Sequence, residues 1–221
     1  MRGGTPYYMR NFITLFITVI AAFGTATFAQ NRAGDFDYYV LSLSWSPTWC
    51  AITGDDRGSP QCAVSANHGW VLHGLWPQYH RGFPANCQTA ERPPSRAMTA
   101  DMADIMGTSG LAWYQWKKHG TCTGLSAPAY YALARTAYAA VNRPEVFRKL
   151  SKPVKLPAKI IEEAFLKANP DWEPDMLTIT CRNGRIQEAR LCLSKDLNPV
   201  PCGRDVITDC RLKDALFDPI R

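Results

Sequence analysis

Lys118 and His119 stand side by side in the stretch Trp113 to Cys122, which also holds two Trp, a Gly and a Cys. An ammonium beside an imidazole disfavours protonation of the ring, so His119 stays partly neutral near neutral pH while Lys118 keeps its charge. Such a pair suits chemistry in which the ring moves a proton while the cation holds an anion. One imidazole cannot be acid and base in a single step, so the chemistry needs a second. The chain has four histidines, His68, His73, His80 and His119. His73 lies in a second short Trp-containing, Gly-adjacent segment, His73-Gly74-Leu75-Trp76-Pro77-Gln78. His68 and His80 are left as surface or core residues, the ordinary reading of a lone histidine.

These two segments resemble the two active-site signatures of the T2 family of secreted ribonucleases. His73 to Pro77 matches His-Gly-Leu-Trp-Pro, and Gln115 to Cys122 matches Glu-Trp-x-Lys-His-Gly-Thr-Cys at every specified position but the first. Tyr79, Gly82, Phe83, Pro84 and Cys87 extend the likeness. The resemblance implies an endoribonuclease of low base specificity that cuts single-stranded RNA by transesterification, through a 2′,3′-cyclic phosphate, with no metal and no other cofactor. It implies His119 as general base, His73 as general acid and Lys118 as stabiliser of the pentacoordinate phosphorane. DNA lacks the 2′-hydroxyl and would not be cut. Trp76 and Phe83 are the candidates for stacking a base, at ~1–3 kcal/mol per base. The plainer readings are a core residue bracing the His73 turn for Trp76, and a loop plug for Phe83.

Three departures from the family pattern bear on activity. Gln115 replaces the Glu; it can hydrogen-bond a phosphoryl oxygen or Lys118 but carries no charge. Tyr114 stands where relatives often have a third His, and its hydroxyl can still bind phosphate. Gln78 stands where an Asp often follows the first signature, which alters base preference because a carboxylate only accepts and an amide also donates. Gln115 and Tyr114 favour a second reading, a non-catalytic or weakly active binding or storage protein on the same scaffold. A metal-dependent hydrolase is a third reading, opposed by the lack of an Asp/Glu/His cluster at ligand spacing.

The elements that must position these groups are legible in outline. Phe36 to Trp45 reads as a core strand ended by Ser46-Pro47, and Trp70 to Leu75 as a second strand that turns at Pro77. Arg96 to Met106 reads as a helix with Ser95 as N-cap, and Leu111 to His119 as another, stopped at Gly120. On the latter, Gln115, Lys118 and His119 sit at i, i+3 and i+4 and share one face. Trp113, Trp116 and Lys117 turn elsewhere, the two Trp toward the core. Ala127 to Val141 and Ala158 to Ala168 are helical, and Met176 to Cys181 and Arg185 to Leu193 are strands around the hairpin turn Asn183-Gly184. Asn198 to Asp209 is loop before a short final strand or tail. The sum is one α+β domain with a central, mainly antiparallel sheet packed by several helices.

The chain has 221 residues, 46% hydrophobic and 20% charged, with a net charge of +6. That suits one domain with a sizeable core and a mildly basic surface, without a dense basic run. Arg2 and Arg10, the apolar run Phe12 to Phe23, and Thr27-Phe28-Ala29 before Gln30 read as a signal peptide over residues 1–29, with the catalytic domain over 30–221. The expected location is secreted or periplasmic, free of the membrane once the signal is removed. Cys50, Cys62, Cys87, Cys122, Cys181, Cys192, Cys202 and Cys210 all follow the signal and read as four disulfides. No Cys-x-x-Cys pair occurs, which argues against zinc. Spacing leaves the pairing open. The family resemblance implies Cys50–Cys62, Cys87–Cys122, Cys181–Cys210 and Cys192–Cys202.

Overall fold

Alternation of Leu41, Leu43 and Trp45 with Ser42 and Ser44 gives one strand two unlike faces, and the molecule is arranged around that difference. The structure, a computed structural model, describes residues 1–4 and 31–221. The expected signal peptide falls almost wholly outside the described residues. No helix among the described residues is long and apolar enough to cross a membrane.

The strands are Tyr38–Trp45 (β1), Trp70–Gln78 (β2), Val154–Leu156 (β3), Leu177–Arg182 (β4), Arg185–Leu193 (β5) and Ala215–Phe217 (β6). They form one sheet in the order β2-β1-β5-β6-β3, with β4 also on β5. All pairings are antiparallel except β5 with β6. The helices are Ser46–Trp49 (α1), Arg96–Asp101 (α2), Ala103–Met106 (α3), Ser109–Lys118 (α4), Ala127–Ala140 (α5) and Ala158–Ala168 (α6). The fold class is α+β, with a mainly antiparallel sheet packed by helices, as expected from the sequence.

On β1, Tyr39, Leu41, Leu43 and Trp45 face the main core. There the Trp45 and Phe217 rings stack at 4.4 Å, and Trp70 meets Phe165 edge-on at 5.3 Å. Val40, Ser42 and Ser44 face the other way. The disulfides join Cys50 to Cys62, Cys87 to Cys122, Cys181 to Cys210 and Cys192 to Cys202.

Several expected boundaries move. β2 does not turn at Pro77 but runs on through Gln78, with Pro77 opposite Tyr39. A proline is tolerated there because β2 is an edge strand, so its missing N–H breaks no ladder on the outer side. Two tyrosines of α5 lie along that strand: Tyr130 Oη donates to the Leu75 carbonyl and Tyr138 Oη to the Trp70 carbonyl. The helix expected over 96–106 is split at Met102 into α2 and α3, with Ser95 accepting the Met98 N–H as the expected cap. Trp116 is buried as expected, but Trp113 is 44% exposed and does not belong to the core. β3, flanked by Pro153 and Pro157, is too short to announce itself by periodicity.

Candidate active site

The register of β2 on β1 skips one residue. Ser42 pairs with Gly74 and Leu43 with Leu72, which leaves His73 as the extra residue of a β-bulge. A regular strand sends residues 73 and 76 to opposite faces, because side chains alternate with period two. The bulge shifts that parity by one and re-aims the strand. His73, Trp76 and Gln78 thereby all line one cleft on the serine side of β1, together with Val40.

The opposite wall comes from α4. Gln115, Lys118 and His119 line the same cleft, as their i, i+3, i+4 spacing predicts, and Tyr114 and Phe83 stand at its rim. Thr108 caps α4 by accepting the Leu111 N–H, and His119 is the C-cap residue. Gly120 must follow, since a Cβ there would come within 2.5 Å of Trp116 and 3.0 Å of Tyr130. The loop after β2 is tied to this helix end. Asn86 N–H donates to the Lys118 carbonyl at 2.8 Å, and the Cys87–Cys122 bond closes the next residue. Farther up the loop, Asp205 Oδ2 accepts the Gly82 N–H at 2.6 Å and so fixes the turn that carries Phe83. The cleft measures about 370 Å³.

Trp76 joins the two walls. Its ring lies 5.3 Å from His119 in a stacked arrangement and 5.1 Å from His73 in an edge-on one. Its Nε1–H donates to Gln115 Oε1 at 2.7 Å. The indole thus stands between the two imidazoles while lining the cleft. Gly74 permits it: a Cβ at that position would lie 2.3 Å from both Gln115 Oε1 and Trp76 Nε1. Gln115 is 1% exposed, and its carbonyl oxygen is turned to Trp76.

The electrostatics separate the two histidines. His119 is 4% exposed, and its Nδ1 has no hydrogen-bond partner among the described residues. Burial, then the Lys118 charge, then His73 push its pKa down to about 3. The ring is therefore neutral over the whole range near pH 7. His73 is partly exposed, and its Nδ1 lies 2.6 Å from Glu188 Oε1. Glu188 is 2% exposed. Burial alone would raise its pKa, but the hydrogen bond and charge of His73 and the Arg190 guanidinium outweigh this and hold it at about 2. Lys118 Nζ sits 5.9 Å from both the Phe83 and Tyr114 ring centres, and no ion pair among the described residues uses it. A neutral base, a carboxylate-linked imidazole and an unpaired cation around one cleft can carry out a proton-coupled displacement at a phosphate.

Every residue singled out in the sequence as catalytic or base-binding lines this cleft. Glu188 and Arg190 are what sequence reading missed. They stand two apart on β5, hence on one face, among residues of mixed polarity that include Arg185 and Gln187, so the strand itself does not single them out. That this face is the cleft face follows only from the strand order, in which β5 sits beyond β1 from His73.

The two signature segments are thus the two walls of one cleft. A ribonuclease from Aeromonas hydrophila is 43% identical over 127 residues, covering 57% of this chain and 56% of that protein. A probable ribonuclease from Haemophilus influenzae is 33% identical over 135 residues, covering 56% of this chain and 49% of that protein. The matched segments span about half the length of these curated relatives. Among solved structures, an RNase-related protein from Calystegia sepium superposes with a TM-score of 0.61 at 19% identity, over 84% of this chain and 97% of that one. The self-incompatibility SF11-RNase of Nicotiana alata does so with a TM-score of 0.60 at 18% identity, over 81% and 97%. The model of the Ribonuclease T2 family matches residues 36–202, from the start of β1 past β5, and with the bulged His73 and the helix-end His119 inside that span the chain belongs to this family.

Proposed function

We propose that the protein is an endoribonuclease that cleaves single-stranded RNA by transesterification and needs no metal. The observation that carries this reading is the pairing of a buried, neutral His119 with a Glu188-linked His73 on either side of Trp76, with the Lys118 ammonium in the same cleft. His119 takes the proton of the 2′-hydroxyl, and the freed oxygen attacks the neighbouring phosphorus. The bond to the 5′-oxygen breaks, and His73 gives that oxygen its proton. Lys118 holds the extra charge on the non-bridging oxygens at the pentacoordinate stage. The products are a 2′,3′-cyclic phosphate and a 5′-hydroxyl, and DNA, which has no 2′-hydroxyl, is not a substrate. Low base specificity fits a cleft whose half-exposed Phe83 offers stacking to any base, with the Gln78 amide as donor and acceptor beside it. Tyr114 and Gln115 complete the cleft wall next to the phosphate.

The test is incubation of the protein with single-stranded RNA in EDTA over acid to neutral pH, beside His73→Ala and His119→Ala, with analysis of the product ends. Cyclic phosphate ends are expected from the parent, and each variant should lose ~10²–10⁴ in rate. A folded, fully oxidised parent that cuts at no pH, or cuts only when metal is restored, overturns the proposal; RNA retained without cleavage would favour the binding-protein reading.

A further inference from the structure

Glu188 is a buried carboxylate that the reaction above does not consume, yet it touches the histidine that the reaction uses as acid. One oxygen, Oε1, lies 2.6 Å from His73 Nδ1, and the Ser44 hydroxyl approaches the same oxygen at 3.4 Å. The other, Oε2, takes two N–H groups of Arg190, Nε at 3.0 Å and Nη2 at 2.8 Å. His73 and Glu188 are on β2 and β5, with β1 between them, so the contact spans two strand spacings, about 10 Å of sheet. It is possible because β1 presents only serines beneath it. Ser44 pairs with Glu188, and Ser42 pairs with Arg190. Larger side chains at those two positions would stand in the path.

We propose that Glu188 is the positioning residue for His73: its carboxylate holds the Nδ1 proton and thereby fixes the ring so that only Nε2 meets the substrate, while Arg190 keeps the carboxylate ionised. The inference rests on the reading of His73 as the general acid. The role of Arg190 follows from what happens to charge during the reaction. When His73 gives its Nε2 proton to the 5′-oxygen, a carboxylate with no other partner would be left as an uncompensated buried charge, which is strongly unfavourable. The two-point guanidinium contact supplies compensation that does not depend on the state of His73. Glu188 then accepts Nδ1–H both before and after proton transfer, and the imidazole stays in one tautomer through the cycle. The bulge aims His73, and the Glu188–Arg190 pair holds the aim.

The tautomer can be read directly. In protein labelled with ¹⁵N-histidine, long-range ¹H–¹⁵N correlations at a pH where His73 is neutral show which ring nitrogen carries the proton. The wild type is expected to show Nδ1–H alone. Glu188→Ala is expected to show both tautomers, with kcat on a dinucleotide substrate lowered by at least about tenfold, within the ~10²–10⁴ that a general acid supplies, and with KM little changed. Glu188→Gln, whose carbonyl can still accept Nδ1–H, is expected to regain the single tautomer and part of kcat. Neutral His73 with its proton on Nε2 in the wild type overturns the inference, as does a folded Glu188→Ala that keeps the wild-type tautomer and kcat. Should Glu188→Ala fail to fold, the wild-type spectrum decides alone. A wild type inert toward RNA would sink the ribonuclease reading, and the tautomer spectrum would still judge the positioning.

Discussion

A histidine held neutral by burial makes the folded state sensitive to acid, and His119 allows the effect to be sized. Its pKa falls from 6.5 to about 3 on folding. Between those values the unfolded chain binds a proton that the native chain does not, so stability is complete above about pH 6.5 and is lost as pH falls toward 3. At ~1.4 kcal/mol per pH unit, the loss attributable to His119 is about 2.7 kcal/mol between about pH 6.5 and about pH 4.5, with a ceiling near ~5 kcal/mol at pH 3. Glu188 works lower on the scale: its pKa falls from 4.5 to about 2, so its contribution is lost only below about pH 4.5. His68 is also held below its ordinary value, by burial and then by Arg148, so it acts with the same sign as His119. The difference between wild type and His119→Gln isolates the residue of interest. Urea unfolding of both proteins at about pH 6.5 and about pH 4.5 should show the wild type losing some 2–3 kcal/mol more than the variant, following the same linkage. Equal losses, or an NMR titration of His119 with a midpoint near 6.5, would refute the account of why this ring is available as a base.

Two further perturbations probe how the walls are joined. Gly74→Ala forces a methyl group into the hydrogen bond between Trp76 and Gln115, at a cost of ~1–3 kcal/mol. Its kcat should fall further than the stability loss accounts for; a variant with wild-type Tm and rate would remove the reason for glycine here. Cys87→Ser with Cys122→Ser opens a bond between residues 35 apart in sequence and should cost ~2–4 kcal/mol in denaturant unfolding. Because that bond docks the Phe83 loop on the end of α4, KM should rise in the surviving folded fraction, and an unchanged KM would show that the loop holds its place without it.

What the sequence made legible follows local physics. The serine–leucine alternation of β1, the Ser95 cap, the Asn183-Gly184 turn with both residues at positive φ, and the one-sided spacing of Gln115, Lys118 and His119 are set by neighbours in sequence. Four features were not legible, because each depends on partners far along the chain. The bulge at His73 exists only in the register of β2 on β1. The run of β2 through Pro77 depends on β2 lying at the sheet edge. Glu188 reaches His73 only because β1 separates their strands and offers serines between them. Trp113 shares a helix with the buried Trp116, but α4 turns only one of its faces to the core. The disulfide pairing likewise came from family resemblance and not from spacing.

The two α5 tyrosines on β2 have a consequence beyond holding a helix in place. An edge strand exposes main-chain groups that can template a strand from another molecule. On this edge the carbonyls of Trp70 and Leu75 are taken by the hydroxyls of Tyr138 and Tyr130, and Pro77 has no N–H to offer. Three main-chain groups of the strand that carries His73 are thus withheld from an incoming strand, and the bulge that aims the His73 ring further spoils the flat register such a strand would need. The bulge thus serves the edge as well as the imidazole, adding to what the two tyrosines and Pro77 already withhold.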